Sequence, residues 1–195
     1  LAIGTTNATP RVSPPGGSVP VLGTNPIAVA VPDGAGGIAF QFDFSTSAVA
    51  LGRITMAAAA GEEIPLGWAV DADGHPTTDP QAALTGSLVS AGGYKGYGIG
   101  LLVEVLAGAL TGCRLSVDVP PLKSPEGEPH DLGQFYVVID PDSYSGRTFH
   151  DRLAALAESI TVQEGARLPG AGRRPTDPVD VEDSVWTLVT ELAGN

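Results

Sequence analysis

Residues 92–112 set the terms on which this chain can fold. They read Gly-Gly-Tyr-Lys-Gly-Tyr-Gly-Ile-Gly and then Leu-Leu-Val-Glu-Val-Leu-Ala-Gly-Ala-Leu-Thr-Gly, a glycine-dense turn running straight into an apolar helix. From Ile99 to Leu110 the only charged side chain is Glu104. Apolar residues therefore cover the whole circumference, which predicts a core helix buried on all sides. At about a dozen residues it falls well short of the roughly 20 needed to cross a bilayer, and Gly112 stops it. Ahead of it lie five glycines between Gly92 and Gly100, which let the backbone approach a bound group closely. Tyr94 and Lys95, one of two lysines in the chain, sit inside that collar. Two readings stand side by side. Either this is a tight turn with Lys95 in solvent, or free N–H groups and one ammonium meet an anion at a helix N-terminus.

At 195 residues the chain is long enough for one sizeable core or two small ones. Charged residues make up only 16%, against about 25% for an ordinary soluble domain, so part of the apolar surface is expected to be covered by another chain. The formal charge is −12, and the basic side chains are scattered singly except for Arg173 and Arg174. Nucleic acid and anionic membranes both need a basic patch, so that distribution argues against them. The single cysteine, Cys113, has no internal disulfide partner and fits a reducing, cytoplasmic setting. No signal or transit pattern is visible at the start. The opening Leu-Ala-Ile-Gly-Thr-Thr-Asn has no methionine and reads as a strand, which gives the expectation of an interior start.

In chain order, a first strand over residues 1–7 is followed by a Pro/Gly-rich ordered loop. That loop delivers Gly-Thr-Asn-Pro at 23–26 to a strand over 27–31. Thr24 and Asn25 have side chains suited to a backbone turn. Residues 38–44 form the second arm of a hairpin with a loop longer than two residues. Alternation puts Phe40, Phe42 and Phe44 on one face and Gln41 and Asp43 on the other. Ser45, Thr46 and Ser47 then read as the N-cap of an alanine-rich helix over 48–60. A strand ending in Asp43, followed by hydroxyls and a helix start, suits ribose hydroxyls and a phosphate, and a second helix-capping acceptor equally well. Asp79-Pro80 caps a short helix. A strand over 135–139, an amphipathic helix through Phe149, Leu153, Leu156 and Ile160, and a last helix through Val185, Leu188, Val189 and Leu192 complete the chain.

The three histidines, His75, His130 and His150, stand in unrelated contexts without metal-ligand spacing. Asp71-Ala72-Asp73-Gly74 lacks the later oxygen ligands of a calcium loop, so no metal is expected. No Gly-x-Ser-x-Gly elbow, Walker loop or strand-linked Gly-x-Gly-x-x-G is present. What remains is a set of glycine- and hydroxyl-rich turns, able to converge on one elongated anionic ligand.

The ordered set Leu22-Gly-Thr-Asn-Pro-Ile, Asp43-Phe-Ser-Thr-Ser, Gly74-His-Pro-Thr-Thr-Asp-Pro, Gly93-Tyr-Lys-Gly-Tyr-Gly, Leu168-Pro-Gly and Asp183-Ser-Val-Trp resembles the non-Rossmann malate/L-lactate dehydrogenase family. Its members include ureidoglycolate dehydrogenase, diketogulonate reductase, sulfolactate dehydrogenase and a cyclic-imine reductase. The resemblance implies an α/β architecture, a non-Rossmann NAD(P)-binding fold with a mixed, largely antiparallel sheet packed by helices. Residues 1–145 would bind the cofactor, and 146–195 would pack with an N-terminal part. NAD or NADP would meet Asp43, Phe44, Ser45, Thr46, Tyr94, Lys95, Gly170 and Gly172, and the substrate would meet Thr24 and Asn25.

The resemblance further implies a homo-oligomer, such as a homodimer, that interconverts 2-hydroxy and 2-oxo acids or reduces a related imine. Its acid/base histidine and its substrate-binding serine and arginine would lie on an N-terminal segment outside these residues, so no catalytic residue is assigned. Ala171-Gly172 stands where relatives often carry larger polar side chains. That change keeps open a non-catalytic relative serving as a binding or structural subunit.

Overall fold

The computed structural model describes residues 1–121, 128–146, 148–172 and 181–194. In chain order it contains β1 (Ala2–Thr6), β2 (Ile27–Pro32), β3 (Ile38–Phe44), α1 (Leu51–Ala60), β4 (Ala69–Val70), β5 (Pro76–Thr77), α2 (Pro80–Thr85) and β6 (Ser87–Leu88). Then come α3 (Tyr94–Glu104), which runs into a π turn (Val105–Ala109), a 3-10 turn at Ser116–Asp118, β7 (Gln134–Val138), α4 (Pro141–Ser145), α5 (Thr148–Thr161) and α6 (Asp183–Leu192).

Two antiparallel sheets organise these elements. The larger has the order β3-β2-β1-β7, the smaller β5-β4-β6. The β2–β3 hairpin closes through Asp33, whose carboxylate accepts from the N–H groups of Ala35 (2.7 Å) and Gly37 (2.8 Å). The register slips between Val31 and Pro32, where proline has no N–H for the ladder. Ala2 lies opposite Ala30 and Val138, Gly4 opposite Ala28 and Tyr136, Ala28 opposite Asp43, and Ala30 opposite Gln41. One face of the sheet is thus tiled with alanine and glycine, and Asp43 stands on it, turned away from the phenylalanines as alternation predicts.

The best-packed cluster, Val12, Leu22, Val49, Ile54, Ile64, Ala69, Ala83 and Leu88, lies around the small sheet, α1 and α2. Asp79 caps α2 by accepting from Gln81 N–H at 2.8 Å. The alanine-rich helix starts later than its sequence pattern suggests. Its N-cap is Ala50, with no side-chain bond, while Ala48 N–H donates to Val89 O and Ala91 N–H to Thr46 O. Extended pairing at Ser47 with Ser90 takes residues 45–48 out of the helix.

The central helix departs from expectation most. It is not buried all round: Leu102 is 56% exposed and Leu110 63%, and Ile99, Leu101 and Val105 are exposed too. Its buried residues are Gly96, Gly100, Val103 and Glu104, followed by Ala107 and Gly108 in the π turn. The reason is close backbone approach. A Cβ at Gly96 would fall 1.9 Å from Ala91 O, and one at Gly100 would fall 2.9 Å from Thr46 Oγ1. A glycine stripe faces the body, and most of the leucines are left outside. Tyr94 and Lys95, expected in a turn ahead of the helix, form its first residues.

Among the described residues no helix is long and apolar enough to cross a membrane.

Candidate functional site

The tiled sheet face carries an extended concavity. Three hollows of about 370, 310 and 220 Å³ adjoin along it, and Asp43 borders all three. Their floor is Ala2, Gly4, Ala28 and Ala30, side chains too small to fill the space above the strands. Gly4 is needed there, because a Cβ would come within 3.0 Å of the Tyr136 ring. Tyr136 and Val138 form one wall. The other end is closed by the loop 167–171, which is docked on the edge of β3 by Gln41 N–H donating to Pro169 O (3.3 Å). Gly170 has φ +78, and a Cβ there would meet Gln41 O at 2.7 Å. Only glycine lets the loop lie this close.

Asp43 and Gly170, distant in sequence, therefore line one hollow, whereas Lys95, expected to converge on the same ligand, borders none of the three. Sequence inspection missed Arg167, which lines the same hollow, and Tyr136; strand alternation from Phe135 was the available signal for the tyrosine. The Asp43 carboxylate has no hydrogen-bond or ion-pair partner among the described residues. It is exposed and free to accept.

Residues 44–47 leave this trough along a locked path. Phe44 stacks on Phe42 with ring centroids 5.2 Å apart. Ser45 Oγ and Ser47 Oγ share a hydrogen bond at 2.9 Å. Thr46 is buried and donates from Oγ1 to Thr24 O at 3.1 Å. Tyr94 and Lys95 are exposed and border none of the three hollows. They open α3 just past Ser90 and Ala91, which pair with Ser47 and Thr46. Gly172 has φ +81 and open space around it; Arg173 and Arg174 lie outside the described residues.

Asn25 turns out to face inward. It is fully buried, donating from Nδ2 to Gly100 O (3.0 Å) and to Glu104 Oε2 (2.7 Å), with φ +36. Ser116 completes the shell of Glu104 through its N–H and its hydroxyl. A carboxylate buried on a helix without a cation needs donors, and Asn25 is one of them. Its side chain is spent inside the protein and is unavailable to a substrate.

The carboxylates of Asp71 and Asp73 and the His75 ring gather within 4.8 Å. Asp71 Oδ1 is already engaged by the N–H groups of Asp73 and His75, so the turn accounts for the grouping. No histidine borders the trough: His150 contacts Asp142 at 3.8 Å, and His75 contacts Asp71. A separate cavity of about 560 Å³ lies beyond Ser45 and Thr24, bounded also by Arg11, Leu51 and Leu84.

A sequence profile of the malate/L-lactate dehydrogenases matches residues 1–181. The chain belongs to this family. It is 42% identical over 173 residues to the NADP(+)-dependent (2R)-3-sulfolactate dehydrogenase of Chromohalobacter salexigens, covering 89% of this chain and 51% of that protein. It is 43% identical over 181 residues to a Delta(1)-pyrroline-2-carboxylate/Delta(1)-piperideine-2-carboxylate reductase of Pseudomonas aeruginosa, covering 89% and 52%. Among solved family structures, the sulfolactate dehydrogenase of Methanocaldococcus jannaschii superposes with a TM-score of 0.86 at 32% identity, over 99% of this chain and 58% of that one. The delta1-piperideine-2-carboxylate reductase of Pseudomonas syringae gives 0.78 at 39% identity, over 87% and 51%. The chain spans about half the length of the curated relatives it matches.

Proposed function

We propose that this chain forms the cofactor-binding and C-terminal portion of an NAD(P)-dependent oxidoreductase. It would interconvert 2-hydroxy and 2-oxo acids, or reduce a related cyclic imine, on a non-Rossmann antiparallel sheet. One observation carries the reading: Asp43 and the Gly170 loop, each part of a motif that resembles the family, border one trough. The family relatives named above include an NADP(+)-dependent dehydrogenase and imine reductases.

The residues present suit a dinucleotide. A floor of alanine and glycine accepts a flat ring, and the free Asp43 carboxylate accepts hydrogen bonds from ribose hydroxyls. Arg167 with the Gly170 turn suits the anionic middle of the molecule, and Lys95 with Tyr94, on the start of α3 outside the trough, would meet whatever part of the ligand extends beyond its rim. The backbone of Phe44 to Thr46 continues from Asp43 as the connecting rim, and Gly172 extends the loop side. When bound, the nicotinamide supplies or accepts the hydride. The chain's own part is to bind and orient it, and the apolar floor keeps water from its lower face. Thr24, at the far end of the Asp43 path, is the candidate substrate contact.

Reduction of a carbonyl needs a proton donor, worth about 10²- to 10⁴-fold in rate. Since no histidine borders the trough, we place that donor on the further segment that the relatives' length allows, packed with residues 146–195 or with a second copy. Titration with NADH and with NADPH, followed by nicotinamide fluorescence, checks the reading. Enhancement and saturation with one of them is expected, and silence with both would end it.

A further inference from the structure

The small sheet carries a hollow of its own. About 330 Å³ in volume, it shares no lining residue with the trough or with the cavity beyond Ser45. Its floor is laid by β4 and the stretch just after β6: Ala69 and Ser90 are buried, at 0% and 5% exposure, and Ser13 borders it too. Two clasped turns raise the rim. Gly17 N–H donates to Pro14 O (2.8 Å) across one, and across the other Gly74 N–H donates to Asp71 O (3.0 Å) and Asp71 N–H to His75 O (2.9 Å). The opening is thereby set before anything enters it, which lowers the ordering cost of binding.

No side chain fills the hollow, for a backbone reason. Gly16, Gly67 and Gly93 line it with φ of +83, +90 and +65, a region that L side chains rarely adopt. A Cβ at any of the three would have nothing within 4 Å. The walls are Pro14, Pro15 and Pro76 with Val70 and Val89, and among the described residues no charged side chain lines the site. Two hydroxyls belong to it. Ser13 Oγ is taken up by Ser87 Oγ at 2.8 Å, whereas the Ser90 hydroxyl has no hydrogen-bond partner among the described residues. Ser90 is held in place by its pairing with Ser47 and by Gly93 N–H donating to Ser90 O (3.1 Å). A hydroxyl so nearly buried and left unpaired is costly.

We infer that this hollow binds a neutral, fused bicyclic ring with one N–H, an indole-like compound, held between the proline walls with its N–H donating to Ser90 Oγ. An apolar concavity with a single placed polar group is the ordinary make-up of a small-molecule site. An apolar cavity of about 150 Å³ accepts benzene, and roughly twice that volume suits two fused rings. The C–H surfaces of the prolines meet the electron-rich face of an aromatic ring. A charged ligand finds no counter-ion in the lining, and a purine brings several ring nitrogens to one free hydroxyl, so both are disfavoured. The inference stands on the hollow and Ser90, independently of what the trough takes.

Indole titrated into the full chain, followed by amide NMR and by calorimetry, tests it. Saturation is expected, with the Gly16, Gly67 and Gly93 amide signals moving together. Indene, which has the same outline without the N–H, should bind about fivefold more weakly, as the loss of one hydrogen bond implies, and adenosine should leave those signals in place. Ser90→Ala should bring indole down to the affinity of indene at an unchanged melting temperature. Four outcomes overturn the inference: no saturation by indole, equal affinity for indole and indene in wild type, equal indole affinity in Ser90→Ala and wild type, or shifts confined to the exposed leucines of α3. The indene comparison needs no variant, so it decides even if Ser90→Ala fails to fold. A parallel NADPH titration keeps the two claims apart. Displacement of indole by NADPH would make the hollow part of the cofactor's path and overturn it as a separate site. Indole bound at the rim by a chain that ignores NADH and NADPH would uphold this site and overturn the dinucleotide reading.

Discussion

Glu104 is the only charged side chain between Ile99 and Leu110 and is buried at 6% exposure, so its donors have to come from elsewhere in the fold. Asn25 and Ser116 supply them. Removing one donor to a buried carboxylate costs about 1.5–3 kcal/mol, so Asn25→Ala should lower stability by roughly that much in urea unfolding. At 25 °C the folded variant should still bind NADPH within about twofold of wild type. A large loss of affinity at unchanged stability would instead put Asn25 at a ligand. Lys95→Ala should do the reverse, weakening NAD(P)H binding severalfold with little change in melting temperature. Equal affinity in the two proteins removes Lys95 from the site. The sequence could show that Gly-Thr-Asn-Pro was special, but not which way Asn25 points. The lone glutamate in an apolar helix was the available clue, because a buried charge demands partners that a turn asparagine can provide.

The strands were readable because alternation and the Pro-Asp-Gly turn act locally, and Asp43 was placed on its correct face for that reason. Helix α3 was not, because its pattern reports hydrophobicity while its packing is decided by the absence of side chains. Gly96 and Gly100 bury the backbone, and Leu101 and Leu102 are left exposed. Paired substitutions separate the two roles of glycine in this helix. Gly96→Ala drives a methyl into Ala91 O at 1.9 Å and should destabilise by about 3 kcal/mol, the upper end for overpacking. Gly98→Ala has nothing within 4 Å and should stabilise by up to about 1 kcal/mol through helix propensity. Equal effects in thermal unfolding would mean that the stripe is not what docks the helix. The β2–β3 turn has its own readout in pH. The N–H groups of Ala35, and next of Gly37, hold the Asp33 carboxyl below its ordinary value of 3.8. A depressed value in the folded state stabilises the turn above the unfolded value, and that stabilisation is lost as pH falls through the folded one. The Ala35 and Gly37 amide shifts should therefore titrate with a midpoint below 3.8; a midpoint at or above it would remove Asp33 as the turn's clasp.

At the scale of the whole molecule, low charge and outward leucines describe one property. Charged residues are 16% of the chain, and the apolar side chains of α3 and of α6, where Val185, Trp186, Leu188 and Val189 are exposed, are not covered within it. Exposed apolar area of this kind is typical of association and ligand-binding surfaces, and we propose that another chain covers this one. Because α3 buries glycine, its exposed leucines do not hold the rest of the fold together, and charging them tests association without attacking the core. Wild type at micromolar concentration should run by light scattering at twice the 19.7 kDa chain mass or above, or bind a hydrophobic dye strongly if it stays single. Leu102→Glu combined with Val105→Glu should bring the mass to that of one chain, or reduce the dye signal severalfold, while NADPH affinity holds. The trough lies on the tiled face of the large sheet, and none of its lining residues is on α3. Loss of cofactor binding together with dissociation would mean that the second copy completes the trough, and an unchanged mass and dye signal would mean that α3 is not the covered face.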